Sequence, residues 1–546
     1  MPRFFLLITL LAALKLRYPR PMATQSSSIP AFINGLMCSE VYPHQCSNIQ
    51  LIETHISWVI LTGAVVYKIK KPVNFGFLDF SQLEKRKYFC EEELRLNKRL
   101  APDIYLQVVA IGGTEAQPRI CNDETVFEYA VKMKQFPQSA QLDNLLAHGD
   151  LHPDYIDAVA ICLAQFHNQI DIADTNDAFG DYDHVVSPCL ENFKHIRHLI
   201  KNKTISNMLD HLEIWTHSHA ALLKKVIVYR KKNGFVRECH GDLHLRNMAW
   251  LENKPILFDC IEFNTDLRWI DVMSEVAFVL MDLHDRRLLE LSTRFLNTYL
   301  QQTGDYSGLK VLRFYVVYRA LVRSKVAALR AAQFAETGDA FDSCVDEVKE
   351  YLQLAHGFTH VSKPILLLMH GPSASGKSTV SEILMNQLGA IRLRSDVERK
   401  RLFQVAPDEP SENAFGAGIY SSQATCATYL RLLDLSERIL RDGFSVIVDA
   451  KFQTKDERVA FINLAKSLSL DVRICHLNVS KETLMRRITQ RKNDISDANE
   501  TVLTKQLSHW QGLSDNELTI AINIDANDNY DLNAAIRELR DLSALP

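Results

Sequence analysis

The chain has 546 residues, 47% of them hydrophobic and 23% charged, with a net charge of -4. That length exceeds one core and implies roughly three or four domain-sized lobes of a soluble globular protein. The slightly acidic balance supplies no basic field, so nucleic acid is not an expected partner. The 11 cysteines form no CxxC pair, which excludes a zinc ribbon or disulfide framework and points to reduced thiols in the cytoplasm.

The N-terminal MPRFFLLITLLAALKLRYPRP has an apolar run from Phe4 to Leu14, too short to span a bilayer. A signal peptide would need a small-residue cleavage site where Lys15, Arg17 and Arg20 stand. Met22 opens a polar stretch and is the expected true start, making residues 1–29 a tail. Secretion or a membrane-associated tail is the rival reading. No other segment suits stable membrane insertion.

ISWVILTGAVVYKIK, from Ile56 to Lys70, is β-branched and aromatic and breaks at Thr62-Gly63, which predicts a hairpin. Phe80 to Leu100 predicts a charged helix, and Val126 to Phe136 another strand. Helical patterns then run from Gln141 to about Phe358, including one nearly all-apolar helix from Leu309 to Phe334.

Within that region lies CHGDLHLRN, Cys239 to Asn247. His240 and His244 are i,i+4, but the intervening Gly241-Asp242 reads as a loop, and no cysteine pair or HExxH completes a zinc site. The spacings from His240 to Asp242 and from Asp242 to Asn247 match the HRDxxxxN loop of phosphoryl transfer, where the Asp meets the acceptor hydroxyl and the Asn holds Mg2+. MAWLENKPILFDC then predicts strands Met248–Leu251 and Pro255–Phe258, a hairpin that returns Asp259 to the loop.

After His356-Gly357 short apolar runs alternate with helices. They begin at Ile365, Ala390, Phe444, Val472 and Leu518. This rhythm implies a parallel sheet covered on both faces. GPSASGKS, Gly371 to Ser378, lies between the first run and a helix from Lys377 to about Leu388, the setting of a phosphate-cradling loop. There Gly371, Ser375, Gly376, Lys377, Ser378 and Thr379 would surround the phosphates, with Ser378 on Mg2+. Asp396 and Asp449 end the second and third runs, at the ligand-facing edge of such a sheet. Arg486, Arg487 and Arg491 follow at helical spacing, and Arg487 and Arg491 share a face that could close over the phosphoryl group.

The segment with GPSASGKS, RSD, GFSVIVDAKF and the RRITQR stretch resembles the small P-loop kinases, near gluconate kinase and the zeta-toxin-like kinases. The resemblance implies that Asp396 handles the acceptor hydroxyl and that Asp449 supports Mg2+. The upstream HGDLHLRN with its hairpin Asp resembles the aminoglycoside phosphotransferase/choline kinase-like family. That resemblance makes Asp242 the catalytic base, Asn247 and Asp259 the Mg2+ ligands, His240 and His244 supports of the loop, and Asp271 a structural residue. In VVYKIKK, Lys68 matches the ATP-phosphate lysine, with Lys70 on the same strand face as the alternative. Glu93 is its expected helix partner and Glu92 the runner-up. EYAVKMKQF would be the hinge beside the adenine. No GxGxxG covers the phosphates, only the Thr62-Gly63 hairpin. Arg319 and Arg323 are read as makers of structural ion pairs, with the acceptor pocket as their other possible place.

The expected architecture is therefore an N-terminal α+β two-lobed protein-kinase-like fold, with an N-lobe at 30–136 and a C-lobe at 137–358. A C-terminal α/β P-loop NTPase with a parallel five-stranded sheet follows at 359–546. The expected activity is ATP- and Mg2+-dependent transfer of the γ-phosphoryl group to small-molecule hydroxyls by both parts. The rival expectations are one nucleotide-sensing regulatory module, a zeta-toxin-like action on a nucleotide sugar, or a non-enzymatic ATP-binding scaffold.

Overall fold

The computed structural model describes residues 29–76, 78–120, 125–334, 338–405, 419, 421–490, 500–527 and 532–543. The apolar N-terminal run, Met22 and Arg491 lie outside the described residues. Among those described, no helix is long and apolar enough to cross a membrane.

The chain divides into two compact units. Unit 1 runs to Asp285 and resumes over Val311–Thr359; unit 2 comprises Arg286–Lys310 and the chain from His360.

Unit 1 begins with an antiparallel sheet built from β1 (Gln50–Glu53), β2 (Ser57–Leu61), β3 (Val65–Lys70), β4 (Tyr105–Thr114), β5 (Gln117–Ile120) and β6 (Glu128–Lys134). Its order is β1-β2-β3-β6-β4-β5. The turn between β2 and β3 falls at the expected Thr62-Gly63, with Gly63 at φ +99. Helix α1 (Leu83–Asn97) packs on β6 and β4. Alternation along β3 sends Tyr67 and Ile69 into the apolar core and Lys68 and Lys70 toward α1.

The helical lobe contains α2 (Pro153–Gln169), α3 (Lys203–Lys232) and, after the catalytic-type loop, α4 (Val272–Asp285). Strand β7 (Val236–Glu238) leads into that loop. β8 (Met248–Leu251) and β9 (Lys254–Leu257) form the hairpin behind it, and β10 (Trp269–Asp271) pairs with β7. Glu252 and Asn253 turn the hairpin with φ of +50 and +59, so both central residues are left-handed, as the strand twist favours.

Unit 2 is a parallel sheet in the order β12-β13-β11-β14-β15. Its strands are β11 (Ile365–His370), β12 (Ile391–Arg394), β13 (Val446–Asp449), β14 (Asp471–Asn478) and β15 (Ala521–Asp525). β11 is buried along its whole length, as a central parallel strand must be. β15 starts later than the apolar run at Leu518 suggests, because Ser514 caps a helical turn over Asp515–Leu518.

Residues 286–310, expected within the C-lobe at 137–358, pack in unit 2 instead. Helix α5 (Leu289–Thr303) covers the edge strand β12: buried Asn297 donates from Nδ2 to the Ala390 carbonyl at 3.0 Å and accepts from the Arg392 amide at 2.7 Å. The unpaired backbone of an edge strand needs such partners. Helix α6 (Leu309–Ala331) then carries the chain back to unit 1.

Candidate active sites

In unit 1 backbone hydrogen bonds lock the catalytic-type loop to the hairpin. The Phe258 amide donates to the Asn247 carbonyl at 3.0 Å, and the Ile261 amide to the His240 carbonyl at 3.0 Å. His240, fully buried, donates from Nε2 to the Phe258 carbonyl at 2.8 Å and accepts the Asp242 amide at Nδ1, 3.3 Å. These two bonds occupy both ring nitrogens within the loop and leave none for a metal.

Asn247 donates from Nδ2 to the Asp242 carbonyl at 2.9 Å and to Asp242 Oδ2 at 3.3 Å. His244 Nε2 lies 3.5 Å from the same Oδ2. Burial opposes ionisation of Asp242, but His244, Arg323 and His240 outweigh it and hold its pKa well below the carboxylate range. Asp242 is thus a carboxylate at neutral pH.

Asp259 sits at φ +66, a conformation that non-glycine residues rarely adopt and that here aims the residue into the site. Its amide donates to Tyr105 Oη at 3.2 Å. Its carboxylate, still half-exposed, accepts from Lys68 Nζ at 2.6 Å. Lys68 also reaches Glu93 Oε1 at 2.8 Å. Lys70 lies 2.7 Å from Glu93 Oε2 and pairs with Glu262, a residue that carried no expectation. Both lysines of the strand face therefore grip one glutamate. Only Lys68 opens onto the neighbouring cavity of about 750 Å3, which is also lined by Val59, Val66, Met133, Phe136, Asp242 and Asp259. Glu92, the other candidate partner, pairs with Arg95 and Arg268 instead. The apolar side of the cavity suits a flat base, and Asp242 and Asp259 on its wall, with Asn247 bonded behind Asp242, offer the hard oxygen donors that fit a divalent cation.

Three supports lay beyond sequence reasoning. Glu275 on α4 accepts the Gly241 amide at 2.6 Å and bonds His167 Nε2 at 2.9 Å. Asp282 accepts the Leu245 amide at 3.0 Å. Asn97 accepts the Cys260 amide at 2.9 Å, tying α1 to the Asp259 turn. His167, Cys239 and Glu275 form a buried cluster, and the two oxygens of Glu275 are spent on bracing the loop. Asp271 is the structural residue expected: its carboxylate takes two bonds from Arg230, at 2.6 and 2.8 Å. Arg319 differs from the ion-pair expectation. It donates to the carbonyls of Ser274 and Gly241 and stacks over Phe278. Arg323 sits near Asp242 and donates to Tyr351 Oη at 3.5 Å.

In unit 2 the GPSASGKS loop wraps from β11 into α7 (Lys377–Leu388). Ala374 at φ +65 and Gly376 at φ +92 curl the backbone, and a Cβ on Gly371 would stand 2.6 Å from Ser375 Oγ. Ser375 Oγ is buried without a partner among the described residues, and the first amides of α7 have none earlier in their helix. This nest fits phosphate oxygens. Lys377 Nζ donates to the carbonyls of Gly371 and Pro372 at 2.8 and 2.7 Å.

A pocket of about 120 Å3 brings Lys377, Ser378 and Thr379 together with Arg394, Asp396, Asp449 and Lys451. Asp449 ends β13 and accepts from Ser381 Oγ at 3.2 Å. Asp396 stands in the first turn of α8 (Ser395–Leu402), just past the end of β12. Arg487, on α10, follows α9 (Lys455–Ser467) in the chain; α10 spans Lys481–Gln490. Its Nη2 donates to the Asn527 carbonyl at 2.7 Å, so it is tethered outside that pocket.

Residues 153–315 match the phosphotransferase enzyme family, and residues 366–513 match the AAA domain family. Over 453 residues the chain is 27% identical to an uncharacterized Mycobacterium tuberculosis protein, an alignment covering 82% of this chain and 88% of that one. Among solved structures, an amicoumacin kinase in complex with AMP-PNP and Ca2+ aligns at 12% identity, over 63% of this chain and 96% of that chain, with a TM-score of 0.39. A gluconokinase from Sinorhizobium meliloti aligns at 17% identity, over 34% of this chain and 93% of that chain, with a TM-score of 0.23. The chain therefore joins a phosphotransferase-family domain to a P-loop domain of the AAA family, and it is a kinase-type enzyme.

Proposed function

We propose that the chain is a bifunctional phosphotransferase, each unit moving the γ-phosphoryl group of ATP to a hydroxyl of a small molecule with Mg2+. The observation that carries this reading is the convergence of Lys68, Asp242 and Asp259 on one cavity, with Asn247 bonded to Asp242 and Glu93 paired to Lys68.

In unit 1 the adenine lies between the apolar side chains of β2, β3 and the segment after β6. Lys68, held by Glu93, neutralises phosphate oxygens. Asp242 accepts the proton of the acceptor hydroxyl. The acceptor oxygen then bonds to Pγ while the bond from Pγ to the bridging β,γ oxygen breaks, and ADP leaves with that electron pair. Asn247 and Asp259 would hold Mg2+, whose chemistry is to neutralise charge on the β and γ oxygens. Glu275 and Arg319 fix Gly241 from its amide and carbonyl sides, which keeps Asp242 in place. In unit 2 the loop amides and Lys377 bind the phosphates, Ser378 and Asp449 would hold Mg2+, and Asp396 takes the acceptor proton.

ATP turnover by the full chain against a metabolite panel tests this. A general base contributes about 10²–10⁴-fold, so Asp242→Asn should remove that much of one activity and Lys377→Ala should remove the other. If neither substitution lowers turnover, the reading fails. If Lys377→Ala alone does, unit 1 is a sensor.

A further inference from the structure

Helix α8 carries Asp396 in its first turn and Glu398 two positions on. Residues two apart on a helix point about 200° apart. Asp396 accordingly lines the unit 2 pocket, while Glu398 is fully buried on the far side of the helix. A buried carboxylate needs donors, and Glu398 takes them from three directions. Arg401, one turn on, pairs with Oε1. Arg431, on the helix Ser422–Arg441, reaches Oε2 at 3.4 Å. Tyr306, itself buried, donates from Oη to Oε1 at 3.2 Å.

The segment that bears Tyr306 also holds Arg401. Arg401 Nη2 donates to the Gln301 carbonyl at 2.5 Å, and its guanidinium lies 5.9 Å from the centre of the Tyr306 ring. Gly304, at φ +71, ends α5 and makes room: a Cβ there would stand 2.7 Å from Arg401 Nε. The turn that presents Tyr306 is closed by Asp305, whose Oδ1 accepts from the Gly308 amide at 3.0 Å and from Ser307 Oγ at 2.7 Å. Asn297 of the same segment bonds Ala390 and Arg392. Residues 286–310 thus grip the chain on both sides of Asp396, at Ala390 and Arg392 before it and at Glu398 and Arg401 after it.

We propose that Tyr306 is a positioning residue for Asp396. By holding Glu398 it sets the rotation of α8 about its axis, and with Asn297 it sets where the acceptor base of unit 2 points. Unit 2 then takes the aim of its base from a segment that lies in the chain between α4 and α6, both of which run in unit 1. The inference rests on the phosphotransferase reading of unit 2 and adds a residue that works through the base without touching substrate.

The test uses the full chain with Asp242→Asn to silence unit 1. It follows the ATP turnover that Lys377→Ala abolishes, first with water as the sole acceptor and then with the metabolite-panel compound that raises it most. Tyr306→Phe removes one hydroxyl and keeps the ring. It should lower kcat on the order of 10-fold at unchanged KM for ATP, because the base is displaced and the P-loop is not. The deciding measurement is the cycle with Asp396→Asn: once the base is gone, Tyr306→Phe should cost nothing further, whereas general destabilisation costs the same in both backgrounds. Gly304→Ala, which presses on Arg401 from α5, should repeat the pattern. For either variant amide hydrogen exchange should quicken in α8 and not in α7. Undiminished kcat in both variants, an equal fold loss with and without Asp396, or a KM for ATP that rises as kcat falls overturns the proposal and leaves the phosphotransferase reading standing. If the parent chain shows no turnover that depends on Lys377, that reading of unit 2 fails, and the role of Tyr306 fails with it.

Discussion

Replacing Glu275 by alanine should disable unit 1 without touching any group that meets a substrate. Glu275 is fully buried, and each of its oxygens carries one bond: the Gly241 amide at 2.6 Å and His167 Nε2 at 2.9 Å. Its pKa is lowered, because His167, His240 and the Gly241 amide outweigh the burial that opposes ionisation. Leaving two buried donors unsatisfied costs about 1–3 kcal/mol each, so unit 1 should lose about 2–6 kcal/mol of stability. Gly241 adjoins Asp242 at φ +91, and a loosened Gly241 displaces the base. A misplacement near 1 Å costs on the order of 100-fold in rate. The assay is ATP turnover in a Lys377→Ala background, with thermal unfolding alongside. We expect kcat to fall about 10- to 100-fold at unchanged KM for ATP, because the Lys68 side of the cavity is untouched. Glu275→Gln keeps an oxygen for Gly241 and should retain most activity, and it serves as the readout if the alanine variant does not fold. Wild-type kcat in Glu275→Ala, or a KM for ATP that rises as far as kcat falls, would refute the bracing argument.

The two strand lysines should separate by phenotype. Lys70→Met strands Glu262 in the interior and leaves Glu93 to Lys68 alone, and breaking such a buried pair costs about 3–5 kcal/mol, so the unit 1 melting transition should drop sharply by calorimetry. Lys68→Met should cost turnover far more than stability; equal melting losses would contradict the division of labour. For unit 2, burial opposes ionisation of Glu517, but Arg458 and the Ser514 bonds hold its pKa down to about 2. A depressed carboxylate stabilises above its unfolded value near 4.5, and that contribution fades as pH falls toward 2. Urea titrations across that window should show stability declining with acid in the wild type and a flatter profile in Glu517→Gln.

What could be read from the chain was what lies close along it. GPSASGKS and HGDLHLRN are contiguous, and their spacing alone carries the chemistry. The return of Asp259 was legible because a short hairpin must bring it back. Glu275, Asp282 and Asn97 were not, since each meets the loop only through packing and nothing in the local pattern of α4 or α1 distinguishes a brace from an ordinary buried acid or amide. Lys68 and Lys70 stayed ambiguous because period-two geometry places both on one face, and Glu93 accepts both. Only the cavity separates them. Arg487 at helical spacing promised a lid, yet its donor is tethered to the Asn527 carbonyl, a partner 40 residues away. The amphipathic pattern of α5 was legible as a helix; which unit it serves was not, since an apolar stripe does not name what it covers.

That helix bears on how the protein is made. Asn297 bonds a strand residue 95 positions later in the chain. On the ribosome α5 emerges early and waits through the synthesis of the rest of unit 1 before its edge strand exists. Unit 2 cannot finish folding from its own contiguous gene segment, because part of it has already been translated. A nascent chain released at Thr359 would hold a complete set of unit 1 residues and an amphipathic helix with its apolar stripe uncovered, a natural target for chaperones. The two units are thus tied in time as well as in sequence: the second cannot be assembled until the first has been fully translated.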